Sequence, residues 1–150
     1  MLFDALLPGT ETMPGALDAG AVDFLDAQLS QDDGTYFELR SWKLAYSQLL
    51  PELDRTAATR FGHGLDQLSR AEATELLGEL EQAALNHWPA GLDQRRAFAM
   101  LRSHCIEGCF ADPRWGGNRD FLMWRWLGYG EPATDYLRPA AEPAEHGDEQ

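Results

Sequence analysis

Ser69-Arg70-Ala71-Glu72-Ala73-Thr74-Glu75-Leu76-Leu77-Gly78-Glu79-Leu80 is the stretch that decides the fold class. Ser69 and Glu72 stand at the S-x-x-E spacing of a capping box. There a hydroxyl and a carboxylate each satisfy one amide that a helix start leaves without a partner. Behind them Ala73, Leu76, Leu77, Leu80 and Ala84 fall on one face, the pattern of a helix laid against a core. Toward the N-terminus, Phe61-Gly62-His63-Gly64 reads as a break. Before it, Tyr36 to Leu50 places Phe37, Leu44, Leu49 and Leu50 at helical spacing, with Trp42 and Tyr46 broadening the stripe. Pro51 is expected to end that helix or open the next, because proline suits a first turn and clashes in an interior. Gln31-Asp32-Asp33-Gly34 is a polar break. Asp18 is expected to cap a short helix whose apolar side holds Val22, Leu25 and Leu29, with Phe24 alongside. Pro8-Gly9 and Pro14-Gly15 make the first residues irregular.

Toward the C-terminus, Trp88-Pro89-Ala90-Gly91 closes a segment, and Asp93 can cap a helix running through Phe98, Leu101, Cys105 and Phe110. Asp112-Pro113 breaks it. Trp115-Gly116-Gly117-Asn118 is a loop, and Arg119 to Leu127 is a last short helix with Gly128 as its stop. No stretch alternates with period two, and no repeat or linker divides the chain. The expectation is an all-α bundle of about five or six helices with an irregular N-terminal approach. One domain spans 1–137. An acidic tail follows over 138–150, where Glu142, Glu145, Asp148 and Glu149 stand among Pro and Ala. That composition buries too little apolar area to offset ordering entropy, so disorder is expected there.

Composition sets the outer bounds. The 150 residues are 44% apolar and 25% charged, a globular balance long enough for a real core. Twelve Lys+Arg against 25 Asp+Glu leave a net charge of −13, which argues against nucleic acid and anionic lipid as partners. No apolar run reaches the roughly 20 residues of a membrane span. Met1 to Pro8 does not read as a signal peptide. The charge is uneven: Met1 to Leu39 carries eight acids and no base, whereas Asp93 to Arg125 carries six Arg and four acids. Eleven of the twelve basic residues are Arg, the side chain suited to bidentate pairs and to stacking on aromatic rings.

Candidate chemistry is sparse. Cys105 and Cys109 lie four apart on a helix and share a face, a pattern that two small buried hydrophobes also give. A metal site with His104 and Glu107 nearby is the alternative, although helical geometry turns those two away from the thiols. His63, His87, His104 and His146 are scattered. No nucleophile elbow is present, and Trp115-Gly116-Gly117-Asn118 follows a helix where a nucleotide loop follows a strand. The densest segment is Asp112 to Gly130, with Trp115, Trp124, Trp126, Tyr129 and three Arg, the composition of a protein–protein hot spot. The candidate partner-binding set is Arg114, Trp115, Gly116, Gly117, Asn118, Arg119, Trp126 and Tyr129. Within it Gly116 and Gly117 suit positive φ or close backbone approach, and Asn118 can cap the next helix. Phe121 and Trp124 are expected in the core.

Asp112-Pro113-Arg114-Trp115-Gly116-Gly117-Asn118, with Trp124 and Gly128-Tyr129 downstream, resembles the signature of the gluconate 2-dehydrogenase subunit 3 family. Leu6-Leu7-Pro8, Pro14-Gly15-Ala16 and Ala19-Gly20-Ala21-Val22-Asp23-Phe24-Leu25-Asp26 are similar to its opening, so the likeness brackets Ala5 to Gly130. The resemblance implies an all-α small subunit with no chemistry, cofactor or metal of its own. It would bind a large flavoprotein of the glucose-methanol-choline type that carries FAD and oxidises a sugar or sugar acid. A cytochrome c subunit is a further implied partner, and help with maturation and export a further implied role. The chain departs from the pattern in lacking a twin-arginine signal. It is therefore either processed and periplasmic or cytoplasmic. It also departs in Trp115, where Tyr is usual, and in the bulk of Phe121-Leu122-Met123. A stand-alone metal- or small-molecule-binding domain using Cys105, Cys109 and His104 is one alternative, and a transient chaperone for an exported flavoprotein is another.

Overall fold

The computed structural model describes residues 1–35 and 37–129. They form six α-helices: α1 (Leu2–Leu6), α2 (Ala21–Leu29), α3 (Leu39–Phe61), α4 (Arg70–Gln82), α5 (Gln94–Phe110) and α6 (Leu122–Trp126). Short 3-10 turns lie at Leu65–Gln67, Pro113–Trp115 and Arg119–Phe121, and there is no strand among the described residues. The expected tail over 138–150 and the boundary at 137 lie outside them.

Local signals place two helix starts. The Ser69 amide donates to Glu72 Oε2 at 2.8 Å and the Glu72 amide donates to Ser69 Oγ at 3.3 Å, so the capping box forms and opens α4. The Ser69 side-chain hydrogen bond, first among its causes, holds the Glu72 carboxyl below the ordinary carboxylate range. The Arg96 amide donates to Asp93 Oδ1 at 2.9 Å, opening α5. α4 ends two residues sooner than the apolar pattern suggests. Ala83 is its left-handed cap and Ala84 is exposed, leaving Leu85 to fill the core beyond it.

Elsewhere tertiary packing overrides the pattern. α3 runs unbroken through Pro51, which faces solvent, where water can satisfy the carbonyl that a proline leaves without its amide partner. Its buried stripe is Leu39, Tyr46, Leu49, Leu53 and Ala57, while Phe37, Leu44 and Leu50 are exposed. Gly20, at φ 72°, precedes α2 as its N-cap, and the Asp18 carboxylate instead accepts the Gly15 amide at 2.8 Å. The inward face of α2 is Ala21, Phe24 and Gln28, and Val22 points out.

α5 is the central helix, packed against α2, α4 and α1. Its Leu101, Cys105 and Cys109 meet Leu49 and Leu53 of α3, Leu76 and Leu80 of α4, and Met123 of α6 in one apolar cluster. Charge closes the ends onto this core. Arg70 donates twice to Asp4, at 2.9 and 3.0 Å, tying α1 to α4. Arg119 pairs with Asp23 at 2.5 Å, tying the last turn to α2. The acid-rich N-terminal third thus meets arginines from later in the chain.

Candidate functional site

The loop between α5 and α6 is built from the residues of the Asp112–Asn118 string. Asp112 accepts the Arg114 amide at 3.0 Å and pairs with its guanidinium at 3.0 Å, and Pro113 occupies the first position of the 3-10 turn. Gly116 ends that turn at φ 100°, a conformation glycine adopts without penalty. Gly117 is buried where a Cβ would collide with the carbonyl oxygen of Gly108, and a Cβ on Gly108 would come within 2.8 Å of the Ala21 Cα. Loop, α5 and α2 therefore touch backbone to backbone.

Hydrogen bonds fasten the same three elements. The Asn118 amide donates to the Gly108 carbonyl at 2.8 Å, and the Arg119 amide to the Ala19 carbonyl at 3.0 Å. Gln28 Nε2 donates to the Trp115 carbonyl at 3.3 Å. Asn118 is wholly buried, and its Oδ1 accepts the Met123 amide at 2.9 Å, capping α6 across the intervening 3-10 turn. That turn holds Asp120 at φ 53° and Phe121 at φ 57°. The left-handed region costs a residue such as Phe about 1–2 kcal/mol. The fastening of Asn118 and Arg119 offsets that strain.

The eight candidate residues divide. Gly117 and Asn118 are buried and face the protein's own interior. Gly116 is exposed by its backbone. Arg114, Trp115 and Arg119 point outward, as do Trp126 and Tyr129, with Leu127 beside them. The Arg114 guanidinium lies 5.7 Å from the centre of the Trp115 ring, a cation–π arrangement that holds the exposed indole. Phe121 and Trp124 are half-buried, with their rings 5.7 Å apart, and Trp124 Nε1 donates to the Phe110 carbonyl at 2.8 Å. Met123 is the side chain of this helix that is fully buried.

The reactive groups do not gather. Cys105 and Cys109 are free thiols in the core, and the hydrogen bond to Cys109, then burial, pushes the Cys105 thiol up. His104 is turned instead toward α3, where its Nδ1 shares a 2.9 Å hydrogen bond with the Tyr46 hydroxyl and Trp42 packs edge-on at 4.5 Å. Burial lowers the pKa of His104 and raises that of Tyr46, keeping both neutral. Among the described residues no group of three His, Cys, Asp or Glu could hold a metal ion, and His104 faces Tyr46 and Trp42 of α3. No described helix is long and apolar enough to cross a membrane.

The two sequence regions that carry the family likeness, far apart in the chain, meet here: Ala19 to Asp26 runs along α2, and Asp112 to Asn118 lies on it. The model of the family described as gluconate 2-dehydrogenase subunit 3 matches residues 1–131. The chain belongs to the gluconate 2-dehydrogenase subunit 3 family. It is thus an accessory subunit, by family, of a dehydrogenase complex. No curated protein and no solved structure matches it.

Sequence reading missed the Tyr46–His104 pair and the anchoring roles of Gln28 and Asp4. Gln28 carried a signal, being polar on the same helical face as Ala21 and Phe24. His104 carried none, because its partner lies 58 residues away.

Proposed function

We propose that this chain is the non-catalytic small subunit of a large FAD-dependent dehydrogenase of the glucose-methanol-choline type. It binds, stabilises and helps mature that flavoprotein, whose substrate is a sugar or sugar acid. FAD belongs to the partner, and a cytochrome c subunit is a further partner of the complex. The observation that carries this reading is the outward half of the family loop. Trp115, braced by Arg114, stands 52% exposed on a loop otherwise pinned by buried residues. Trp126, Leu127 and Tyr129, at the end of α6 and just beyond it, are exposed as well. Aromatic rings beside arginine are the usual anchors of an interface, and full burial of such a side chain is worth about 1.5–3 kcal/mol before association costs.

Co-expression with the candidate flavoprotein tests the reading. The expected result is one complex that survives size-exclusion at low concentration and carries the flavin absorbance. Sugar oxidation by the purified chain alone, with a dye acceptor, would contradict it. A flavoprotein released once its FAD is bound would convert the subunit into a chaperone.

A further inference from the structure

The family loop closes one flank of α2 and leaves the other bare. At 100° per residue, Asp23 and Ala27 lie on the flank beside the loop, while Val22, Leu25 and Leu29 lie on the opposite one. These three form one wall of a groove of about 530 Å³, and Phe3, Leu50 and Leu65 contribute to the rest of its lining. Val22 is 47% and Leu50 42% exposed. These two apolar side chains account for part of what the α2 and α3 patterns misassigned to the core.

The lining carries two carboxylates, Asp26 and Asp66, neither in a salt bridge among the described residues, against one cation, the α-amine of Met1. Asp54 stands beside Asp66, accepting the Leu65 amide at 2.8 Å. Lys43, seven residues before Leu50 on α3, is held by the Gln31 carbonyl at 2.6 Å and Asp33 at 2.8 Å, so its charge is already matched. With Asp26, Asp54 and Asp66 against the single Met1 α-amine, an apolar floor with an excess of carboxylates is complementary to a helix that presents apolar side chains and flanking cations.

We propose that this groove docks an amphipathic helical segment of the partner dehydrogenase whose apolar face is bordered by Lys or Arg. The identity of the partner rests on the accessory-subunit reading; the chemistry of the segment does not. A second copy is a poor occupant, because it brings the same carboxylates and another −13 of charge. The residues over 138–150 are acidic and equally mismatched.

The test titrates the isotope-labelled full chain with three synthetic peptides of about 18 residues, about 27 Å long in helical form. One pairs a Leu face with Lys, one pairs Ala with the same Lys, and one pairs Leu with Glu. The Leu/Lys peptide is expected to shift the amides of Val22, Leu25, Leu29 and Leu50 and to bind at least about tenfold tighter than the others. Val22→Asn with Leu50→Asn, both at exposed positions, should remove the binding. Asp26→Asn with Asp66→Asn should weaken it and flatten its salt dependence. Equal binding of the Ala/Lys or Leu/Glu peptide, or an unaffected Val22→Asn/Leu50→Asn variant, overturns the proposal. So does a dimer of the chain that Val22→Asn dissolves. If the variant still co-purifies the flavoprotein as tightly as wild type, the groove is overturned and the accessory role stands. If the peptides behave as expected and no flavoprotein co-purifies, the accessory role fails and the groove stands.

Discussion

Asn118 and Trp115 are three residues apart on one loop, yet one is wholly buried and the other is half in solvent. The inward half, Gly117 and Asn118, ties α2, α5 and α6 together through backbone contacts and a side-chain cap. The outward half, Arg114 and Trp115, is held by Asp112 and by one hydrogen bond from Gln28 to the Trp115 carbonyl, and both side chains stand largely in solvent. A family signature therefore mixes two demands, and only the outward one is available to a partner. Alteration of the inward half should cost stability, and alteration of the outward half should cost binding.

The largest effect is expected from Gly117→Ala. The new methyl meets the Gly108 backbone, which cannot swing aside as a side chain can, so the loss is about 3 kcal/mol, read as a fall in the urea midpoint. A variant as stable as wild type would mean that the loop does not fasten the fold. Trp124→Ala should cost about 2–3 kcal/mol, below the value for a fully buried tryptophan, because the indole is half-buried and its Nε1 bond to Phe110 is lost. Asn118→Ala should cost about 1–2 kcal/mol through the lost cap of α6.

A smaller effect separates the core from both halves of the loop. Burial lowers the folded-state pKa of His104, so the unfolded chain binds its proton first as pH falls. The stability His104 contributes is fully present above its unfolded pKa of about 6.5 and is lost as pH drops from there toward the folded value. Urea midpoints should fall between pH 7.5 and 5.5, and His104→Phe should flatten that slope. An unchanged slope in the variant would assign the acid sensitivity to other groups. The smallest effect on stability belongs to the outward pair: Arg114→Ala with Trp115→Ala should change it by about 0.5 kcal/mol or less.

The sequence made α4 and α5 legible because their starts are local: a Ser and a Glu three apart, and an Asp followed by an apolar period. It misled on α3. Phe37, Leu44 and Leu50 are as apolar as Leu49 and Leu53, and only the partners supplied by α4 and α5 decide which stripe turns inward. Pro51 within α3 misled for a related reason: an exposed proline can be carried by a long helix whose other face is well packed. Asp18 had the composition of a cap, but its carboxylate accepts the Gly15 amide, and α2 begins after Gly20 in the left-handed region. The loop itself was legible through its family likeness. Which of its residues face inward was not, since that depends on the backbone approach of Gly108 to Ala21.

Binding of the purified flavoprotein to wild type and to Arg114→Ala/Trp115→Ala, with helical content followed on the same samples, tests the central claim most directly. The expected result is an affinity lower by at least about tenfold with an unchanged helical signal. Equal affinity in the two proteins, or loss of helix in the variant, would contradict it.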